Sequence, residues 1–93
     1  MFVIGWNELG KEPDMEPFYK EDYLEALKIL SQEFSWLVLE NEELADEALV
    51  AGQILETKRY NAQQINHMDY GFAHQVGDFI YWLRRDVTIV ERP

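Results

Sequence analysis

Gly77-Asp78 lies between two runs in which apolar and polar side chains alternate, and no other segment of the chain restricts its fold as tightly. Tyr70, Phe72, His74 and Val76 precede it on one face. Phe79, Tyr81 and Leu83 follow on one face, with Ile80 and Trp82 on the other. Alternation with a period of two marks a half-buried strand, and a glycine-first pair suits a type II′ turn. Residues 70–83 are therefore predicted to form an antiparallel hairpin. Val87-Thr88-Ile89-Val90 carries the β character further, as a continuation or as another strand.

The rest of the chain supplies partners for that hairpin. Phe2-Val3-Ile4-Gly5-Trp6 reads as a short strand ended by Asn7. Residues 8–17 form a polar loop broken by Pro13 and Pro17. From about Lys20 the period changes. Tyr23, Leu24, Leu27, Leu30, Phe34 and Leu37 recur at the spacing of an amphipathic helix, with Glu21, Asp22 and Glu25 near its positive end. Phe34–Leu39 alone fits either a continuing helix or a buried strand, and a helix to about Leu39 is preferred. Asn41 suits the N-cap of a second helix, with Glu42 and Glu43 in its first turn. Leu44, Ala48, Ala51 and Leu55 give that helix an inward stripe, widened by Leu49 and Ile54. Gly52 weakens it by about 1 kcal/mol relative to alanine. Thr57–Met68 is polar and fits a fraying helix or a connection. The predicted fold class is α+β: a small, mostly antiparallel, three- or four-stranded sheet, made of the N-terminal strand plus the C-terminal hairpin, with two helices packed on one face.

Residues 1–93 fit a single domain, and a chain of this size buries roughly 65% of its unfolded surface. The 47% hydrophobic and 14% aromatic content can fill one core, which argues against disorder. The absence of cysteine excludes disulfides, thiolate metal sites and a thiol nucleophile, and points to the cytosol. The apolar residues 1–7 lack a preceding basic region and a following small-residue cleavage site, so no leader is expected. Stretches free of Asp, Glu, Lys and Arg reach only about nine residues, against roughly 20 for a membrane span. A soluble, cytoplasmic protein without membrane insertion is expected.

Charge divides the chain. Eighteen acids and eight bases give a net −10. Residues 1–56 carry 14 acids and 3 bases, net −11; residues 57–93 carry 4 acids and 5 bases, net +1. Such a field repels nucleic acids and anionic lipid, whose binding needs Lys and Arg to neutralise phosphates. No direct nucleic-acid binding is expected. The field suits a basic protein partner, or serves solubility alone.

Chemistry finds few parts. Ser31 and Ser35 lie within the first helix, far in sequence from His67 and His74 and without a glycine elbow. No glycine-rich phosphate cradle exists; Gly5 and Gly10 stand alone. His67, Asp69, His74 and Asp78 match no zinc spacing. The expectation is a protein that is not an enzyme, with no cofactor, no metal and no catalytic residue. The densest charge is Glu40, Glu42, Glu43, Asp46 and Glu47. Glu43 and Glu47 repel at i, i+4, although the start of the second helix offsets part of that cost. These five, together with Trp82, are the candidate partner-binding residues. Trp6, Trp36 and Trp82 are expected mainly in the core, with Trp82 the exception. It lies opposite Phe79, Tyr81 and Leu83, on a face left open for a partner or a homodimer.

Glu16-Pro17-Phe18-Tyr19, the helix opening Tyr23 to Leu27 and the closing segment Gly77 to Leu83 resemble small acidic bacteriophage proteins over most of the length. The resemblance implies expression in an infected bacterium, to disable or redirect a host protein, and assigns no site residues. The expected function is a protein-binding modulator that docks an acidic surface on a basic host protein. The alternatives are a DNA mimic directed at a restriction or CRISPR-type protein, and a structural homo-oligomeric accessory protein. Mimicry would need carboxylates spaced like phosphates, about one charge per 1.7 Å of duplex, whereas here Lys11, Lys20 and Lys28 interrupt the acids.

Overall fold

The computed structural model describes residues 1–13, 15–64 and 71–85, the side chains of 62–64 apart. The alternation around Gly77 becomes β3 (Phe72–Val76) and β4 (Phe79–Arg85), antiparallel and paired from Phe72↔Leu83 to Val76↔Phe79. Gly77 has φ of 63° and no described non-glycine residue, Asp78 included, has positive φ, the sign pattern of a type II′ turn. The N-terminal strand β1 (Phe2–Glu8) runs antiparallel to β4 along its whole length, from Phe2↔Arg85 to Glu8↔Phe79. It continues two residues beyond Trp6, because β4 is long enough to pair with Asn7 and Glu8.

The predicted sheet gains its fourth strand from the segment expected to lead straight into the helix. Phe18–Lys20 forms β2, antiparallel to β1 with Phe2↔Lys20 and Ile4↔Phe18. The order is β2-β1-β4-β3. A type II turn supports the return: the Lys11 N–H donates to the Glu8 carbonyl at 3.0 Å, with Gly10 at φ 79° in the third position. Because Lys20 is held in the sheet, the first helix starts later than Lys20. α1 spans Tyr23–Glu40 and takes in all of Phe34–Leu39. α2 spans Ala45–Gln64, so helix extends well into Thr57–Met68. The expected strand at Val87–Val90, together with Tyr70, His67 and Asp69, lies outside the described residues.

Both helices cover one sheet face. α1 meets β1, β2 and β4; α2 packs mainly on α1 and reaches the sheet at β3. Ile4, Leu83 and Val76 face Leu27, Leu30 and Phe34 in a single cluster. The Phe34 ring lies edge-on to Tyr81 at 5.0 Å and tilted against Phe72 at 6.2 Å, geometries that aromatic quadrupoles favour. α2 contributes mainly Ala48, Ala51 and Leu55. Leu49 and Ile54, expected to widen this stripe, are instead 51% and 39% exposed. The reason is geometric: two alanines admit close approach along one narrow face, and α2 overlies only the β3 edge. Phe79, at the sheet's end, is likewise exposed.

One side chain covers the centre of the outer face. Gly5 and Trp82 are register partners, and the indole of Trp82 occupies the space a side chain at Gly5 would fill. A Cβ there would lie 2.5 Å from the ring. The indole N–H donates to the Asn7 side-chain oxygen at 2.9 Å, and the Arg84 guanidinium sits 5.3 Å from the ring centroid. Val3, flanked in register by Tyr19 and Arg84, is fully buried. Gly5→Ala should expel the indole and destabilise the fold by about 1–3 kcal/mol, the usual cost of overpacking. Denaturant midpoints with an unchanged slope check this, and a midpoint equal to wild type would contradict the packing described.

Candidate functional site

The five acids predicted to bind a partner gather where α1 turns into α2. Glu40 is the last residue of α1, Glu42 and Glu43 lie in the turn, and Asp46 and Glu47 open α2. Asn41 holds this turn. Its side-chain oxygen accepts the Leu44 N–H at 3.2 Å, and its own N–H closes α1 on the Leu37 carbonyl at 2.9 Å. The capping role read for Asn41 thus appears as a hydrogen bond, although α2 proper starts four residues later.

The five are not equivalent. A carboxylate oxygen of Glu47 accepts the Gly77 N–H at 2.9 Å, and a Cβ at Gly77 would lie 2.7 Å from a Leu44 methyl. Leu44 and Glu47 therefore clamp the hairpin turn, and Glu47 is occupied within the fold. Glu40, Glu42, Glu43 and Asp46 have no ion-pair or hydrogen-bond partner among the described residues; the ion pairs Lys11–Glu8 and Arg59–Glu56, at 3.4 and 3.3 Å, lie elsewhere. Asp46 complements the start of α2, but Glu40 stands at the negative end of α1, whose last turn holds no base. A carboxylate there opposes the helix dipole. Leu39, beside it, is 79% exposed, the most exposed large apolar side chain among the described residues.

Trp82 lies on the outer sheet face, as expected, but half-buried and engaged by Gly5, Asn7 and Arg84. The exposed tryptophan is Trp36, at 56%. It projects from α1 off the buried stripe of Phe34 and Leu37. With it comes a group of residues that the sequence pattern alone did not assemble. Ile29, Gln32, Glu33 and Trp36 share a second face of α1 and form an open groove of about 440 Å³ with Trp6 and Phe18. The Trp6 ring is tilted against Phe18 at 5.8 Å and Tyr81 at 5.5 Å. Burial pushes the Glu33 carboxyl above the usual carboxylate range. The signal was present in the i, i+3, i+4, i+7 spacing of residues 29, 32, 33 and 36. The sheet partners, Trp6 and Phe18, could not be read without β2.

Compared with protein-family models, with curated proteins and with solved structures, the chain finds no match.

Other features offer less. Among the described residues no three metal-ligating side chains converge, and His74 stacks on Phe72 at 6.3 Å. No described helix is long and apolar enough to cross a membrane. The cavity between the helices near Leu55, about 370 Å³, is lined by both signs of charge, with Arg59 already paired to Glu56.

Glu47→Ala should destabilise the protein by about 1 kcal/mol, the net worth of one hydrogen bond, while Glu42→Ala and Glu43→Ala stay within about 0.5 kcal/mol of wild type. Thermal melts of the three variants check the contrast. Burial, and then the Glu33 charge, push the Tyr81 phenol up to about 12. The folded state thus favours the protonated phenol, so its contribution is intact below pH ~10 and is lost as pH rises towards 12. The native tyrosinate absorbance should contain a step near pH 12 that disappears in Tyr81→Phe and moves lower in Glu33→Gln.

Proposed function

We propose that this chain is a non-enzymatic protein-binding modulator that docks the acidic turn between α1 and α2 on a basic surface of its partner. One observation supports this above the rest: Glu40, Glu42, Glu43 and Asp46, unpaired within the described residues, adjoin an apolar side chain, Leu39, left almost wholly in solvent. Glu40 at the negative end of α1 and like charges crowded into one turn cost stability, and exposed leucine gains nothing in water. A basic partner offsets both, since it neutralises the carboxylates and covers the leucine. Apolar centres rimmed by charge are a common form of interface.

The resemblance to acidic bacteriophage proteins sets the partner in the cytosol of an infected bacterium, with inhibition or redirection of a host protein as the outcome. Mimicry of DNA is less well supported. Its carboxylates would track a duplex at regular spacing, whereas these are collected in one turn.

The test is capture from bacterial lysate on immobilised protein, comparing wild type with the triple reversal Glu42→Lys, Glu43→Lys, Asp46→Lys. Glu47 is kept because it clamps Gly77. A partner held at low salt should be released as salt rises, and its retention should fall about tenfold or more in the reversed variant. Equal retention by the variant would remove the turn from the interface. Competition by duplex DNA for the same partner would turn the reading towards mimicry.

A further inference from the structure

A second acidic position lies about two helical turns before the acidic turn, in the groove between α1 and the β1–β2 edge. Glu33 is partly buried and has no ion-pair or hydrogen-bond partner among the described residues. Burial disfavours its charge. Water has been partly withdrawn, and no described base has replaced it. Trp6, Phe18 and Trp36 line the same groove, and among the described residues no Lys or Arg does. This composition selects the occupant by its chemistry. An anion would meet the carboxylate, and a purely apolar group would leave that carboxylate stranded in a drier site. A cation is favoured twice over: aromatic faces attract it through their quadrupoles, and the carboxylate accepts charge-assisted hydrogen bonds from it.

Among protein cations the guanidinium fits both partners at once. Its planar fork meets a carboxylate through two bonds while its flat faces lie on aromatic rings, whereas an ammonium is a compact, strongly hydrated point charge. The aromatic half of that pairing already occurs within this chain, where Arg84 lies over Trp82. The net charge of −10 draws basic segments towards the surface as a whole.

We infer that the groove formed by Trp6, Phe18, Glu33 and Trp36 receives an arginine side chain of the protein partner. The inference rests on the reading of a basic partner and names a side chain that the partner must present.

The probe is the peptide acetyl-Gly-Arg-Gly-amide, with acetyl-Gly-citrulline-Gly-amide as its neutral isostere, each titrated against the whole chain by two-dimensional NMR. The arginine peptide should move the indole N–H signals of Trp36 and Trp6 in a saturable way. The citrulline peptide should bind about five- to thirtyfold more weakly. Glu33→Gln and Trp36→Ala should each weaken the arginine peptide about five- to tenfold, with the Trp82 indole signal unmoved as the check that the sheet is intact. The triple reversal at Glu42, Glu43 and Asp46 should leave peptide affinity within about threefold, since none of the three lines the groove and salt screens their charge. Equal response to the two peptides would overturn the inference, as would shifts confined to other residues or full affinity in Glu33→Gln. If any of these occurred while the triple reversal still abolished partner capture, the groove would fall and the acidic turn would stand. Selective arginine binding with unchanged capture by the triple reversal would instead keep the groove and remove the turn.

Discussion

The register between β1 and β4 carries the architecture, because it joins the two ends of the described chain along seven paired residues. It places β1 in the sheet interior, so that β2 can add on one side and the hairpin extend on the other. A one-residue slip would turn Phe2 and Ile4 out to solvent and Val3 and Gly5 into the core. Two features resist that slip. Gly5 is the position in β1 that leaves room for the Trp82 indole, and Asn7 stands where it can accept the indole N–H. The pairing of residues so distant in sequence is costly in chain entropy, and the apolar layer between the sheet and α1 is what offsets it.

That same arrangement separates two surfaces with different electrostatics. α1 presents one stripe to the sheet and, at an angle to it, the face bearing Ile29, Gln32, Glu33 and Trp36. β2 is only three residues long and begins level with Ile4. Trp6 therefore has no register partner in β2 and leans diagonally on Phe18, and the groove opens beside it. At the far end of α1 the chain reverses through a turn dense in carboxylates, one of which is spent on the hairpin and the others left to solvent. The fold thus divides its acids into those that hold the structure, such as Glu47, and those that it leaves available.

Much of this was legible in the residues themselves. The hairpin about Gly77, the helix through Phe34–Leu39 and the capping side chain of Asn41 all depend on contacts within a few residues, where period and turn chemistry act. Phe18–Lys20 escaped because three residues after a proline carry no period, and only the presence of β1 alongside makes them a strand. Leu49 and Ile54 were misplaced for a related reason: whether a flank of a helix is covered depends on how far the sheet extends beneath it. Trp36 and Trp82 exchanged their expected exposure because Trp82 has a glycine across the strand to lie on, and Trp36 has nothing above it.

By itself the sequence determined the hairpin, the N-terminal strand and the two helices, their α+β layering, the position of the acidic turn and the strong negative charge. Each follows from local spacing or from composition, which no fold can change. Tertiary structure alone decided that Glu47 is bound while Glu42 and Glu43 are not, that the Trp82 indole is anchored, and that Glu33 shares one groove with three aromatic side chains. Those outcomes depend on which strand lies beside which, and strand pairing joins residues whose separation along the chain bears no relation to their distance in space.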